Sequence, residues 1–202
     1  MTNESNLAIF EEITKNCSQK IIQKYSKKLE KKLSFHSSKD SVLLRDLTYL
    51  LYIYDYIDYV EKIIKMTHNN TQNIKPNDGW VWPDIHSIWG LEIRILRKKN
   101  ETEQINQIIK EIDNWFKHPL KTEEQENKRR KRILWEEITY SKTLNIRIEK
   151  GKTNDANEVR LLALSELIGL TETGLYPDLN DNKEKIEAII DEYKETIIKT
   201  SK

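Results

Sequence analysis

The stretch LTYLLYIYDYIDYVEKIIK, Leu47 to Lys65, decides the fold. Leu43, Leu47, Leu50, Leu51 and Tyr54 follow the i, i+4, i+7, i+8, i+11 spacing that lays one apolar face along a helix. Ile57, Val60, Ile63 and Ile64 then give a second face of the same kind. Only a turn near Tyr54 to Tyr56 separates them, and a connection this short predicts two helices packed antiparallel.

Downstream, His68 to Gly79 carries Asn69, Asn70, Asn73, Pro76, Asn77 and Asp78, the strongest loop signal in the chain. Pro83 suits the first turn of the next helix, where no backbone donor is needed, and Ile85, Ile88, Trp89, Leu91, Ile95 and Leu96 fill a broad apolar arc behind it. Asn100 and Glu103 have capping-box spacing, and Ile105, Ile108, Ile109, Ile112, Trp115 and Phe116 line one face before His118-Pro119 ends the helix.

Upstream, Ile13, Cys17, Ile21, Tyr25, Leu29 and Leu33 recur every four positions, whereas a helix repeats every 3.6 residues. Such a helix must curve, break, or cross more than one neighbour. Ser37, Ser38 and Asp40 are the capping residues for the helix that follows.

In the C-terminal third, Thr122 and Gln125 open a helix that runs to Gly151. After Asn154 or Asp155 comes another, in which Val159, Leu161, Leu162, Ala163, Leu164, Leu167, Ile168 and Leu170 cover nearly the whole circumference. That pattern predicts the most buried helix of the C-terminal half. Gly169, Gly174 and Pro177 mark the next loop, and Asp181 with Glu184 caps a final helix bearing Ile186, Ile189, Ile190, Tyr193 and Ile197.

No stretch alternates apolar and polar residues between hairpin turns, so no sheet is expected. The expected fold is all-α: about seven or eight helices in antiparallel hairpins, stacked as a short irregular α-solenoid. We take residues 1–202 as one domain, with points of subdivision near 68–82 and 117–125.

Composition narrows the function classes. Lys plus Arg (34) nearly balances Asp plus Glu (33), so a net charge of +1 offers no overall attraction for nucleic acid or anionic lipid. The dense basic run Lys128-Arg-Arg-Lys-Arg132 follows Glu123, Glu124 and Glu126, which compensate it along the helix; nucleic acid is a minority reading. The polar, acidic start and the absence of a long apolar run predict a soluble cytoplasmic protein with no membrane partner. Heavy use of Lys, Ile and Asn resembles the output of an AT-rich bacterial genome. Cys17 falls on an apolar stripe and reads as a buried thiol.

Two segments, Leu50 to Ile64 and Ile88 to Ile112, carry the hairpin pattern, the second with Trp89-Gly90-Leu91 followed by Ile93 and a polar turn. They resemble tetratricopeptide-type helical hairpins, in which a small residue such as Gly90 at a crossing lets two backbones approach. That resemblance implies a scaffold for binding proteins or peptides. The chain as a whole also resembles small bacterial helical proteins of the immunity type, which block a toxin domain.

Chemistry-bearing residues cluster at Trp80 to Trp89, where three Trp, Asp84 and His86 lie within ten positions. One reading is an aromatic hot spot for a partner; the other is a tryptophan-rich staple sealing a loop on the core. No two of His36, His68, His86 and His118 share the three- or four-residue spacing of a helical metal site, and no nucleophile elbow or phosphate loop is present. The expectation is a non-catalytic protein-binding scaffold without cofactor, a toxin-neutralising immunity protein being one version. Its contacts would come from Tyr52, Tyr56, Tyr59, Trp82, Asp84, His86 and Trp89, with Tyr49 as a further exposed aromatic. The alternatives are a small-molecule or nucleotide-binding helical enzyme using Asp84, His86 and Glu136, and an RNA- or DNA-binding protein using Lys128 to Arg132.

Overall fold

The turn inside the opening stretch is built as expected, and by an unexpected residue. Tyr54 ends a helix, Asp55 adopts the left-handed conformation (φ 63°), and the Tyr56 amide donates to the Leu51 carbonyl at 2.8 Å. This is the Schellman closure that usually employs glycine. Asn100 (φ 60°) repeats it, with the Glu101 amide donating to the Leu96 carbonyl at 3.0 Å. Asn100 therefore terminates one helix rather than capping the next, which starts at Thr102. Both residues have a short polar side chain that tolerates the left-handed region better than most, yet neither matches glycine there. Asp55→Gly is expected to stabilise the protein by about 1 kcal/mol, and Asn100→Gly by somewhat less because Asn suits φ > 0 better. Urea melts of the two variants measure this.

The computed structural model describes residues 3–31, 33–35, 37–71, 82–116, 156–172 and 183–201. Among them are eight helices: α1 (Asn3–Asn16), α2 (Lys20–Glu30), α3 (Ser38–Ile53), α4 (Ile57–Thr71), α5 (Trp82–Lys98), α6 (Thr102–Phe116), α7 (Ala156–Glu172) and α8 (Lys183–Thr200). No strand occurs among the described residues, and the fold is all-α. The helix expected from Thr122 to Gly151, with Glu136 and the Lys128 to Arg132 run, lies outside them, as does His118.

The four-residue repeat of the first segment is resolved by a break. α1 stops at Asn16, Cys17 to Gln19 turn the chain, and α2 folds back so that the Ser26 hydroxyl donates to the Phe10 carbonyl at 2.7 Å. Ser37 caps α3, its hydroxyl accepting from the Asp40 amide, while Asp40 returns to accept from the Ser34 amide at 2.8 Å. α4 continues through Thr71, past the loop start expected at His68. Its last turn is held by the Asn70 side chain, which donates to the Met66 carbonyl at 2.7 Å, so an Asn-rich run is helical there.

Pairs of bonded residues give the helix directions. Arg45 with Asp84 and Tyr52 with Arg94 advance together, so α3 and α5 run parallel. Arg94 and Arg97 both reach Glu172 at the end of α7, which makes α7 parallel to α5. Glu12 with Lys62 and Asn16 with Tyr59 run in opposite senses, as do Asn157 and Thr200, so α4 returns along α1 and α8 along α7. Three parallel helices, α3, α5 and α7, thus form the inner layer.

α7 is the buried helix that its apolar circumference predicts, packing on α3, α5 and α8. Its closest contact comes from Gly90. A Cβ on Gly90 would sit 2.6 Å from the Cα of Gly169, a separation that atoms do not adopt without moving a backbone. Gly90 thus serves a close helix crossing, as expected, but its partner is Gly169. Gly169 lies inside α7 and is not the loop residue that its neighbours Gly174 and Pro177 suggest. Most buried apolar residues form one continuous core, whereas Ile85, Trp89, Ile93, Ile105, Ile108 and Ile112 form a separate cluster between α5 and α6.

Candidate functional site

Leu44 through Ile53 of α3 are all buried, so α3 has no solvent face along that length. Two charged residues, Arg45 (6% exposed) and Asp46 (3%), are buried with it. Charge at such depth persists only with partners. Arg45 donates from Nε and Nη2 to Asp46 Oδ1 at 3.0 and 2.7 Å, and from Nη1 to Asp84 Oδ1 on α5 at 2.5 Å. The Ser41 hydroxyl donates to the second Asp84 oxygen at 2.7 Å. Burial raises the Asp46 carboxyl to about 6, against the pull of Arg45. Asp84 is raised too, again by burial and against Arg45 and Ser41.

Arg45 and Asp46 floor a groove of about 1130 Å³ between α2, α3 and α7. Its apolar wall is Tyr25, Leu43, Val159, Leu162 and Val42, the last being the one large apolar side chain exposed among the described residues, at 38%. Lys27, Lys28, Lys31 and Lys39 stand on the rim together with Glu30, Asp40 and Glu158. Each carboxylate is engaged: Glu30 by the Thr14 hydroxyl, Asp40 by the Ser34 amide, Glu158 by the Tyr25 hydroxyl at 3.3 Å. Lys28 lies over the Tyr25 ring, 5.3 Å from its centroid.

The residues singled out from sequence are distributed differently. Tyr49 and Trp89 are buried (0% and 1% exposed), as is Tyr52 (6%), so these three are not exposed contact aromatics. The Tyr49 hydroxyl donates to the Ser87 carbonyl at 2.7 Å, tying α3 to α5. Tyr52 accepts from Arg94 Nε at 3.2 Å, with Lys98 and Lys194 at its ring. Arg94 in turn bridges Glu172 and Glu187, joining α5 to α7 and α8. Tyr56 and Tyr59 are half-buried at the start of α4, where the Tyr59 hydroxyl accepts from Asn16 at 2.7 Å and holds α1.

Asp84 and His86 are both buried, but they face different helices. Asp84 meets Arg45 of α3, while His86 lies beside Gly169 of α7, its Nδ1 being 3.5 Å from where a Cβ there would stand. Trp82 opens α5, and its side chain lies outside the described set. Trp89 is stacked by His68, ring centroids 5.1 Å apart and planes within 8°. Cys17 is 1% exposed, and burial pushes its thiol up to about 11, which keeps it protonated and unreactive. Among the described residues no three His, Cys, Asp or Glu side chains converge as a metal site requires. No helix among them is long and apolar enough to cross a membrane.

The groove itself was not foreseen. Lys27, Lys28 and Lys31 lie on the lysine-rich side of the first segment, a pattern that more often faces solvent than a partner, and Arg45 and Asp46 match no site motif. The available signal was α3 itself: Leu43, Leu44, Leu47, Leu50 and Leu51 are apolar over more than one face, so charges between them had to be enclosed.

The amino-acid sequence matches a known family along nearly its whole length. The chain belongs to DUF6707, a family of unknown function, with residues 1–199 matched. No curated protein and no solved structure matches it. Membership in DUF6707 thus leaves the reading of function to the groove.

Proposed function

We propose that this DUF6707 chain is a non-catalytic helical scaffold that binds a protein or peptide in the groove between α2, α3 and α7. The observation that carries this reading is the exposed Val42, set in an apolar wall and ringed by lysines and carboxylates in nearly equal number. A surface of both signs around an apolar centre complements another protein. A nucleic acid calls for one sign of charge along its track, and this rim has two.

A binding role is also favoured over chemistry by the state of the ionisable groups. Each carboxylate at the groove already accepts a hydrogen bond, and Arg45 is spent on Asp46 and Asp84. Asp46, the groove carboxyl raised toward neutrality at about 6, is 3% exposed and tied to Arg45. Blocking a toxin domain is one form that such binding takes, and it needs no cofactor.

Val42→Asp tests the reading without threatening the fold, since the side chain is exposed. Tagged chain, mixed with extract of its native cell, is expected to retain one partner at fixed stoichiometry, and Val42→Asp to weaken that capture at least about ten-fold. Equal capture by the variant, or no stoichiometric partner, removes the groove as a docking surface.

A further inference from the structure

α6 lies outside the inner layer of α3, α5 and α7. Among the described helices its substantial packing is on α5 alone, through the separate cluster in which Ile105 and Ile108 remain 8% and 6% exposed. Among the described residues a second link reaches it. His68 of α4 lies flat on Trp89 of that cluster, sets Nε2 2.6 Å from Glu92 Oε2 of α5, and sets Nδ1 3.7 Å from Glu111 Oε2 of α6.

We propose that His68 is a pH-operated pin, which in its protonated form bridges Glu92 and Glu111 and holds α6 onto the α4–α5 pair, and in its neutral form lets α6 open. The chemistry follows from the imidazole's two nitrogens. The cation has two N–H donors, one for each carboxylate; the neutral ring has one donor and one lone pair. The short contact to Glu92 retains the single proton, so deprotonation turns a lone pair toward Glu111. Attraction across that 3.7 Å gap becomes repulsion.

The surroundings favour the cation. Burial opposes protonation, but the Glu92 hydrogen bond and the charges of Glu92 and Glu111 outweigh it, leaving His68 above its usual value. Among the described residues the other charged groups lining this cleft are Glu61 and Lys65 of α4 and Lys99 of α5, and Lys99 is paired with Glu61. Gln104 is the neutral contribution of α6. Because folding raises the His68 pKa, the pin contributes fully below the unfolded value near 6.5 and is lost as pH rises through the folded one. α6 therefore loosens on the alkaline side. Its loosening uncovers Trp89 and the isoleucines around it, a surface distinct from the α2–α3–α7 groove.

Amide hydrogen exchange on the full chain, corrected for intrinsic rates, tests this at about pH 6 and about pH 8.5. Protection of residues 105–112 is expected to fall roughly three- to five-fold across that interval, the size of effect a half-exposed ion pair has, while residues 161–168 of α7 hold theirs. His68→Gln and Glu111→Gln should each abolish the pH response. Glu111 is at the surface of α6, so its substitution leaves the fold intact should the His68 variant prove unstable. A response that persists in Glu111→Gln, a fall shared equally by α7, or no change in wild-type α6 overturns the proposal.

Discussion

Gly90→Val is expected to cost about 3 kcal/mol, lowering Tm by roughly 6–12 °C in a chain of this size. The reason lies in what the new side chain meets. A Cβ at position 90 stands 2.6 Å from the Gly169 Cα and 3.2 Å from both the Gly169 nitrogen and the Ile168 carbonyl oxygen. All three are backbone atoms of α7, so no rotamer change relieves the overlap, and α5 and α7 must separate along their crossing. Separation there also loosens the buried bonds from Tyr49 to the Ser87 and Ser165 carbonyls.

Gly90→Ala should fall between wild type and Gly90→Val, because the same clash is offset by the roughly 1 kcal/mol that alanine gains over glycine in a helix. Gly169→Ala should be close to neutral. Its Cβ points at Ser87, 3.2 Å from the Cα and 3.3 Å from the hydroxyl, contacts that a shift of a few tenths of an ångström relieves. In urea unfolding the cost should therefore decline from Gly90→Val through Gly90→Ala to Gly169→Ala, an order that is a direct reading of the crossing geometry. Equal costs for Gly90→Ala and Gly169→Ala would mean that the two helices meet elsewhere.

How far such features were legible in advance depends on whether they are local. The period of 3.6 at Leu43 to Tyr54 and Ile57 to Ile64, and the capping residues before α3, are properties of a few consecutive residues, and the helices and turn form where those residues say. The all-round apolar surface of Val159 to Leu170 likewise announced a helix with neighbours on several sides. Asp55 and Asn100 were harder, because a left-handed closure by a polar residue leaves no glycine to mark it.

Features made by two distant segments left no trace in either. Gly169 looks like a loop residue beside Gly174 and Pro177; only the arrival of Gly90, 79 positions earlier, makes it a crossing residue within a helix. Tyr49 lies beside an apolar stripe and Trp89 within an apolar arc, but neither window says that α7 will meet the one and His68 stack on the other. The same limit applies to Arg45 and Asp84. Each is an ordinary charged residue in its own helix, and the buried pair exists because α3 and α5 run parallel with those two turns side by side.

Arg45→Met is expected to produce the other large loss, about 3–5 kcal/mol near pH 8, because it leaves two carboxylates enclosed without a counter-charge. Asp46 and Asp84 are 3% and 4% exposed, and water cannot replace the guanidinium that both now share. The loss should depend on pH, and its sign follows from Asp46. Burial already raises that carboxyl to about 6 in the folded protein, so the native state keeps a proton that the unfolded chain has released, and stability falls as pH rises through this range. Without Arg45, both Asp46 and Asp84 move further up, which extends the falling limb toward neutrality. Urea melts should therefore show the variant approaching wild type at about pH 5 and diverging at pH 8. Removing the stranded charges as well, in Arg45→Met/Asp46→Leu/Asp84→Asn, should recover more than half of the deficit, since the new asparagine side chain retains an acceptor for Ser41 and the remaining volume is apolar. A loss that is flat with pH, or a triple variant no better than the single one, would show that Arg45 acts through packing of its stem rather than through its charge.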